Sequence, residues 1–294
     1  YPRKRALDNV SFDLFPASVT ALVGPNGSGK TTLLRCLAAL DHPFSGHIRV
    51  GKYDTVDDPR ACHSLIGYLS DSFSLYDSLT VHQCLKHQGS IYGLSGDQQK
   101  AATDEVIANL DLVSLLPQRA GNLSRGQRQR VGVGLSIIHK PKILLLDEPA
   151  SGLDPEARSD LSGLLVKLRQ AGLCVIVSSH ILAELEDYSD RMLTLRDGKI
   201  LGDESVGSIE RDGTIKIRME LLHVAEGLEQ TLLNHAHISN VEIKDNAVSF
   251  SYIGNPEARS GLLKQLIEAG LMVIEFSTEG ASLEDIYRRQ IMKK

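Results

Sequence analysis

The chain has 294 residues, 42% of them hydrophobic and 23% charged, with a net charge of −5 at pH 7 and a sequence pI near 6.1. These are ordinary globular values that leave no basic field for a nucleic-acid partner, and no stretch approaches the roughly 20 apolar residues of a membrane span. Cys36, Cys62, Cys84 and Cys174 lie far apart without a CxxC or His–Cys cluster, which argues against disulfide or zinc scaffolding and fits a reduced cytosolic compartment. The sequence opens on Tyr1 rather than methionine, and its first residues carry no signal-peptide pattern.

In chain order, apolar runs bounded by turn residues predict strands at Ser18–Val23, His47–Val50, Leu65–Leu69, Ile143–Leu146, Leu173–Ser178 and Arg191–Leu195. Helical patterns between them imply a mostly parallel sheet. The Asp197-Gly198 turn predicts a hairpin into Lys199–Leu201. A helical insertion spans about 72–139, with Thr80 and Ser95 as N-caps of helices running to about Tyr92 and Leu110. This α/β domain is expected to cover 1–211. From Asp212 the pattern restarts as strand Thr214–Met219, helix Val224–Asn234, strands Asn240–Ile243 and Val248–Tyr252, helix Pro256–Ala269, strand Leu271–Phe276 and helix Ser282–Ile291. That βαββαβ order over 212–294 resembles a small α+β module of the ferredoxin-like or ACT-like kind.

The chemistry lies in the first domain. Gly24-Pro25-Asn26-Gly27-Ser28-Gly29-Lys30-Thr31 follows an apolar strand and opens a helix, the setting of a P-loop. Its glycines let successive N–H groups face phosphates, and the helix N-terminus adds positive potential. Lys30 is expected at the β- and γ-phosphates of ATP and the Thr31 hydroxyl on Mg²⁺, with Thr32 beside it in the nucleotide-binding set. Ile143–Leu146 is an apolar strand that delivers Asp147, the Walker B arrangement and a second Mg²⁺ ligand. Glu148 is then the natural general base for water.

Leu123-Ser124-Arg125-Gly126-Gln127 precedes a helix expected at Arg128–Ile138, and Asp147 follows Gln127 by twenty residues. The pentapeptide resembles the LSGGQ signature of ABC ATPases, with Arg125 where the common pattern has glycine. The resemblance implies that Ser124, Gly126 and Gln127 bind the γ-phosphate of ATP held by an opposite subunit, a copy or a related chain, in a head-to-tail pair. Ser151-Gly152-Leu153-Asp154 resembles the D-loop, which puts Asp154 at that interface. His180 resembles the switch histidine at the γ-phosphate, and Tyr1 the aromatic that stacks on adenine. Asp71 stands where most members carry the Q-loop glutamine. It can accept a hydrogen bond or reach Mg²⁺, and it adds a charge.

One ATP domain, a short helical insertion and no sustained heptads favour a transporter subunit over soluble DNA-repair or translation-factor ABC proteins. Phe73–Tyr76 and Leu79–Val81 resemble the segment that meets a membrane permease, with core packing of the insertion as the plain alternative. The ending Ser282–Tyr287 resembles the close of ATPases paired with separate exporter permeases. The resemblance thus implies an ATP-hydrolysing exporter subunit, peripheral at the cytoplasmic face of the membrane. An importer ATPase with a regulatory C-terminal domain is the other transport reading.

Overall fold

The runs Leu144-Leu145-Leu146 and Val175-Ile176-Val177 are almost wholly inaccessible, so both faces of the strands that carry them need cover. A computed structural model describes residues 5–206, 214–224, 227–233, 235, 237–254, 256–278 and 283–292, and it supplies that cover. The first unit runs β1 (Val19–Val23), α1 (Lys30–Leu37), β2 (Arg49–Val50), β3 (Tyr53–Asp54), α2 (Pro59–Leu65), β4 (Ile66–Leu69), α3 (Val81–Ile91) and α4 (Gly96–Asn109). It continues with α5 (Arg125–Ile137), β5 (Ile143–Asp147), α6 (Pro155–Gln170), β6 (Cys174–Ser179), β7 (Arg191–Arg196) and β8 (Lys199–Ser205). The large sheet has the order β4-β5-β6-β1-β7-β8, and β4, β5, β6, β1 and β7 pair in parallel. This is the α/β P-loop architecture that the motifs imply.

Register fixes where the chemistry can be. Asp147 lies opposite Ser178, and Val23 opposite Ser179, so the C-terminal ends of β5, β6 and β1 form one edge. The glycine loop leaves β1 at that edge and turns straight into α1.

The insertion forms as expected around Thr80. Its hydroxyl accepts from the Gln83 backbone N–H at 3.2 Å, while Gln83 Oε1 accepts from the Thr80 N–H at 2.9 Å, a reciprocal cap on α3. Ser95 caps α4 without a side-chain bond. The structure splits the segment beyond Asp71: a Cβ on Gly132 would lie 2.6 Å from the Phe73 ring, and Leu75 is buried, so both pack inward. Tyr76 instead stays 63% exposed. The helix after Ser124 starts at Arg125 rather than Arg128, because Ser124 itself takes the N-cap.

The chain divides into two compact units at Glu204/Ser205, a few residues before Asp212, with Gln290, Ile291 and Met292 grouped with the first. The second holds β9 (Thr214–Leu221), α7 (Leu228–Leu233), β10 (Ile238–Lys244), β11 (Ala247–Ile253), α8 (Pro256–Glu268) and β12 (Val273–Thr278), and ends within α9 (Leu283–Met292), at Arg289. Its sheet is antiparallel in the order β10-β11-β9-β12. Ile217, Met219 and Leu221 alternate inward from β9 and meet Val248 and Phe250 of β11, Leu232 of α7 and Leu266 of α8.

Candidate active site

The loop between β1 and α1 is shaped by glycines that nothing else could replace. A Cβ at Gly24 would fall 2.1 Å from the Leu195 carbonyl oxygen, and Gly29 takes φ 111° at the N-cap of α1. Lys30, only 7% exposed, is thereby brought back over the loop, where its Nζ donates to the Gly24 carbonyl at 2.8 Å. The same ammonium lies 3.2 Å from Glu148 Oε1. Ser28 is buried nearby with its hydroxyl unpartnered. A buried hydroxyl with no partner is costly, and a phosphate oxygen is the acceptor such a loop is built for.

At the ends of β5 and β6 the polar groups are tied together. Ser178 Oγ donates to Asp147 Oδ1 at 2.6 Å and accepts from the Glu148 backbone N–H at 2.9 Å. One buried hydroxyl therefore sets both acidic residues. Glu148 has φ 47°, a left-handed conformation that costs a non-glycine residue about 1–2 kcal/mol. The turn aims its carboxylate at two partners, Lys30 on Oε1 and His180 Nδ1 on Oε2 at 2.8 Å. A carboxylate only accepts, so this contact requires the Nδ1–H form of His180 and leaves Nε2 free for another group.

These residues border a cleft of about 730 Å³. Asn26, Gly27, Gly29, Lys30, Thr31 and Thr32 line it from the loop and α1, and Ala6, Asp71, Glu148, Ser151 and His180 complete it. Gly24, Ser28 and Asp147 lie beneath this lining, each almost fully covered. Chemically the cleft offers an ammonium, backbone N–H groups at a helix start, hydroxyls and carboxylates. That set suits a polyphosphate carried with a divalent cation. Solvent reaches Glu148 through the same open cleft.

Ser124, Gly126, Gln127 and Asp154 are not brought to this cleft within one chain. Ser124 Oγ accepts from the Gln127 N–H at 3.2 Å, and Gln127 Oε1 accepts from the Ser124 N–H at 3.0 Å, so the turn is closed on itself. Asp154 caps α6 by accepting from the Ala157 N–H at 2.8 Å. The two turns adjoin: a Cβ on Gly126 would meet Ala157 Cβ at 2.7 Å, and one on Gly152 would meet Arg125 Nη1 at 2.4 Å. They make one patch. Tyr1 lies outside the described residues. Sequence reasoning passed over Ser178, since a serine at a strand end carries no signal by itself, and it gave Ser151 only as part of the D-loop stretch at a subunit interface, whereas Ser151 lines this chain's own cleft.

Comparison with known proteins places these features in a family. Residues 7–151 match the ABC transporter family model. The chain is 31% identical over 291 residues to the uncharacterized ABC transporter ATP-binding protein YxlF of Bacillus subtilis (strain 168), covering 99% of this chain and 96% of that one. It is 25% identical to the linearmycin resistance ATP-binding protein LnrL of the same organism, across 98% of this chain and 94% of the relative. Among solved structures it resembles the dimeric bacterial ABC transporter cassette MJ0796, with a TM-score of 0.61 and 27% identity over 69% of this chain and 91% of that one.

Proposed function

The chain belongs to the ABC transporter ATP-binding proteins, and from that premise we propose that it drives export through a separate membrane permease, as one half of a head-to-tail ATPase pair. That it is an ATP-binding, ATP-hydrolysing ABC subunit follows from the family. The observation that carries the catalytic part of this reading is Glu148, held in a strained turn between Lys30 and His180 beside the buried Asp147. In this reading Glu148 is the general base, His180 the switch at the γ-phosphate, and Lys30, Asn26, Gly27 and Gly29 the phosphate cradle.

Mg²⁺ would neutralise developing phosphate charge during hydrolysis. Thr31 and Asp147 would hold it, and Asp71, which lines the same cleft, would join them directly or through water. No three His, Cys, Asp or Glu side chains converge on a metal site among the described residues, so most ligands would come from phosphate and water. Ser124, Gly126, Gln127 and Asp154 would serve the ATP of the opposite subunit, a second copy or a related chain. Their grouping in one patch apart from the cleft, with Ser124 and Asp154 exposed, supports that division of labour.

Export rests on the resistance protein LnrL, matched along nearly its whole length. The permease face would be the insertion around Tyr76. No helix among the described residues is long and apolar enough to cross a membrane, which suits peripheral attachment at the cytoplasmic face. We read 1–211 as the ATPase domain and 212–294 as a ferredoxin-like or ACT-like accessory domain. The βαββαβ order and the antiparallel β10-β11-β9-β12 sheet support that reading. Co-purification of the tagged chain from membranes in mild detergent tests the whole: a multi-helix permease in the eluate is expected, and recovery with ribosomes or DNA instead would end the transporter reading.

A further inference from the structure

The last residues of β6 and the turn after it each hold a different group. Ser178 sets Asp147 and Glu148, and His180 contacts Glu148. Ser179, between them and 3% exposed, faces elsewhere. Its hydroxyl accepts from the Ile181 N–H at 3.0 Å, closing a turn around His180, and donates to Glu184 Oε2 at 3.2 Å. Glu184 stands in the short 3-10 turn Leu182–Glu184, and its side chain is 6% exposed. Its other oxygen, Oε1, lies 3.4 Å from Arg158 Nε, an ion pair whose atoms are not aligned for a hydrogen bond. Arg158 is in the first turns of α6, directly beyond the Asp154 cap. The buried Tyr188 also faces this carboxylate: burial first, then the charges of Glu184 and Asp187, pushes its phenol well above the usual tyrosine range.

A buried carboxylate with a poorly aligned cation is a weak source of stability. Its placement makes sense as positioning. We infer that Glu184 is a positioning residue that fixes the turn bearing His180 so that the imidazole meets Glu148, and that Arg158 ties this setting to the start of α6, which the turn Ser151–Asp154 leads into and Asp154 caps. The inference rests on the reading of His180 as the switch at the γ-phosphate. It makes the reach of His180 depend on α6: any shift of the Asp154 turn moves Arg158, and with it the carboxylate that holds Ser179. Arg158, 41% exposed, is the adjustable end of the link, and Glu184 the fixed end.

The test uses the full chain with Glu184→Gln, His180→Ala, their double variant, and Arg158→Met beside Arg158→Lys. Steady-state ATPase, affinity for a fluorescent ATP analogue and thermal unfolding are measured on each. Glu184→Gln keeps size and removes the charge, and kcat is expected to fall about tenfold or more, as small misplacements of reacting groups do. Nucleotide affinity and KM should stay within about twofold. Added to His180→Ala, the Glu184 change should cost nothing further. Arg158→Lys should restore most of what Arg158→Met loses, and this exposed site keeps the test open should Glu184→Gln unfold. An unchanged kcat in Glu184→Gln, or a loss that multiplies onto that of His180→Ala, overturns the inference alone. A parent-like kcat in His180→Ala overturns the reading of His180 and this inference with it.

Discussion

The edge of β5 and β6 and the first turn of α5 both bear residues of the nucleotide motifs, yet they are built in opposite ways. At the strand edge, Asp147 is 3% exposed, Lys30 is 7% exposed, and Ser178, Glu148 and His180 are joined by hydrogen bonds and an ion pair. At α5, Ser124 and Arg125 are exposed and the turn satisfies only itself. One surface is a cleft with its groups already aimed inward; the other is an exposed turn whose cap bonds are spent on itself. A preorganised site fits chemistry at its own atoms, whereas an exposed, self-capped turn gains a role only against a second surface.

The largest break in that contrast should come at Glu148. Glu148→Gln keeps the strained turn and the Lys30 side of the cleft while removing the base. Turnover is expected to fall by about 10²–10⁴-fold with ATP still bound. A near-parental rate in a phosphate-release assay would take Glu148 out of the role.

Next in size is a test of the patch. Lys30→Ala and Ser124→Arg chains should each be nearly inactive alone. Mixed in equal amounts, half the pairs would carry one intact composite site of two, restoring roughly a quarter of the parental rate. No recovery on mixing, with both chains folded, would mean that the two surfaces do not serve the same ATP.

The same contrast decides what could be read from sequence. The glycine loop, Lys30, Asp147 and Glu148 are local: strand, turn and helix stand side by side in the chain, so their geometry is written in adjacent residues. Ser178 escapes because its task depends on register, lying opposite Asp147 across two parallel strands. Glu184 and Arg158 meet only through the packing of α6 beside the turn after β6, and Arg125 touches Gly152 in the same non-local way. The earlier start of α5 was legible, since Ser124 with Gln127 three residues on is a capping-box pattern. The two-residue strands β2 and β3 are too short for periodicity to find both. In the second unit, alternation on β9 and β11 places every strand within a few residues, because one face is buried and the other is not.

A smaller effect should separate the two halves of the patch. Gly152 holds φ 66°, and a Cβ there would sit against the Arg125 guanidinium. Gly152→Ala should cost about 1–2 kcal/mol through the backbone alone. Repeating it in an Arg125→Gly background removes the collision, and the difference between the two urea unfolding energies measures the contact. Equal costs in both backgrounds would mean that Arg125 merely swings aside.

The smallest effect concerns the far end of α5, which is anchored where its start is exposed. His139, just past the helix, stacks on Tyr92 with ring centroids 3.7 Å apart and 1° between planes, and its Nε2 lies 3.0 Å from the Ile66 carbonyl oxygen. That carbonyl only accepts, so Nε2 carries the proton, and the buried Nδ1 has no partner. Burial pulls the His139 pKa below its ordinary 6.5, opposed by the Ile66 contact. The folded state therefore resists a proton that the unfolded chain takes up. Stability is full above about pH 6.5 and falls as pH drops from there toward the lowered folded value, by at most about 1.4 kcal/mol per pH unit for one proton. Loss of this anchor removes one of the ties that hold the end of α5 to β4 and α3, the Ser136 hydroxyl still donating to the Tyr68 carbonyl, while the Ser178–Asp147 edge keeps its own bonds. Urea unfolding at pH 7.5 and 5.5 should show a larger acid loss in the parent than in His139→Gln. An identical pH dependence in the two chains would show that protonation of His139 does not loosen the helix that carries Ser124.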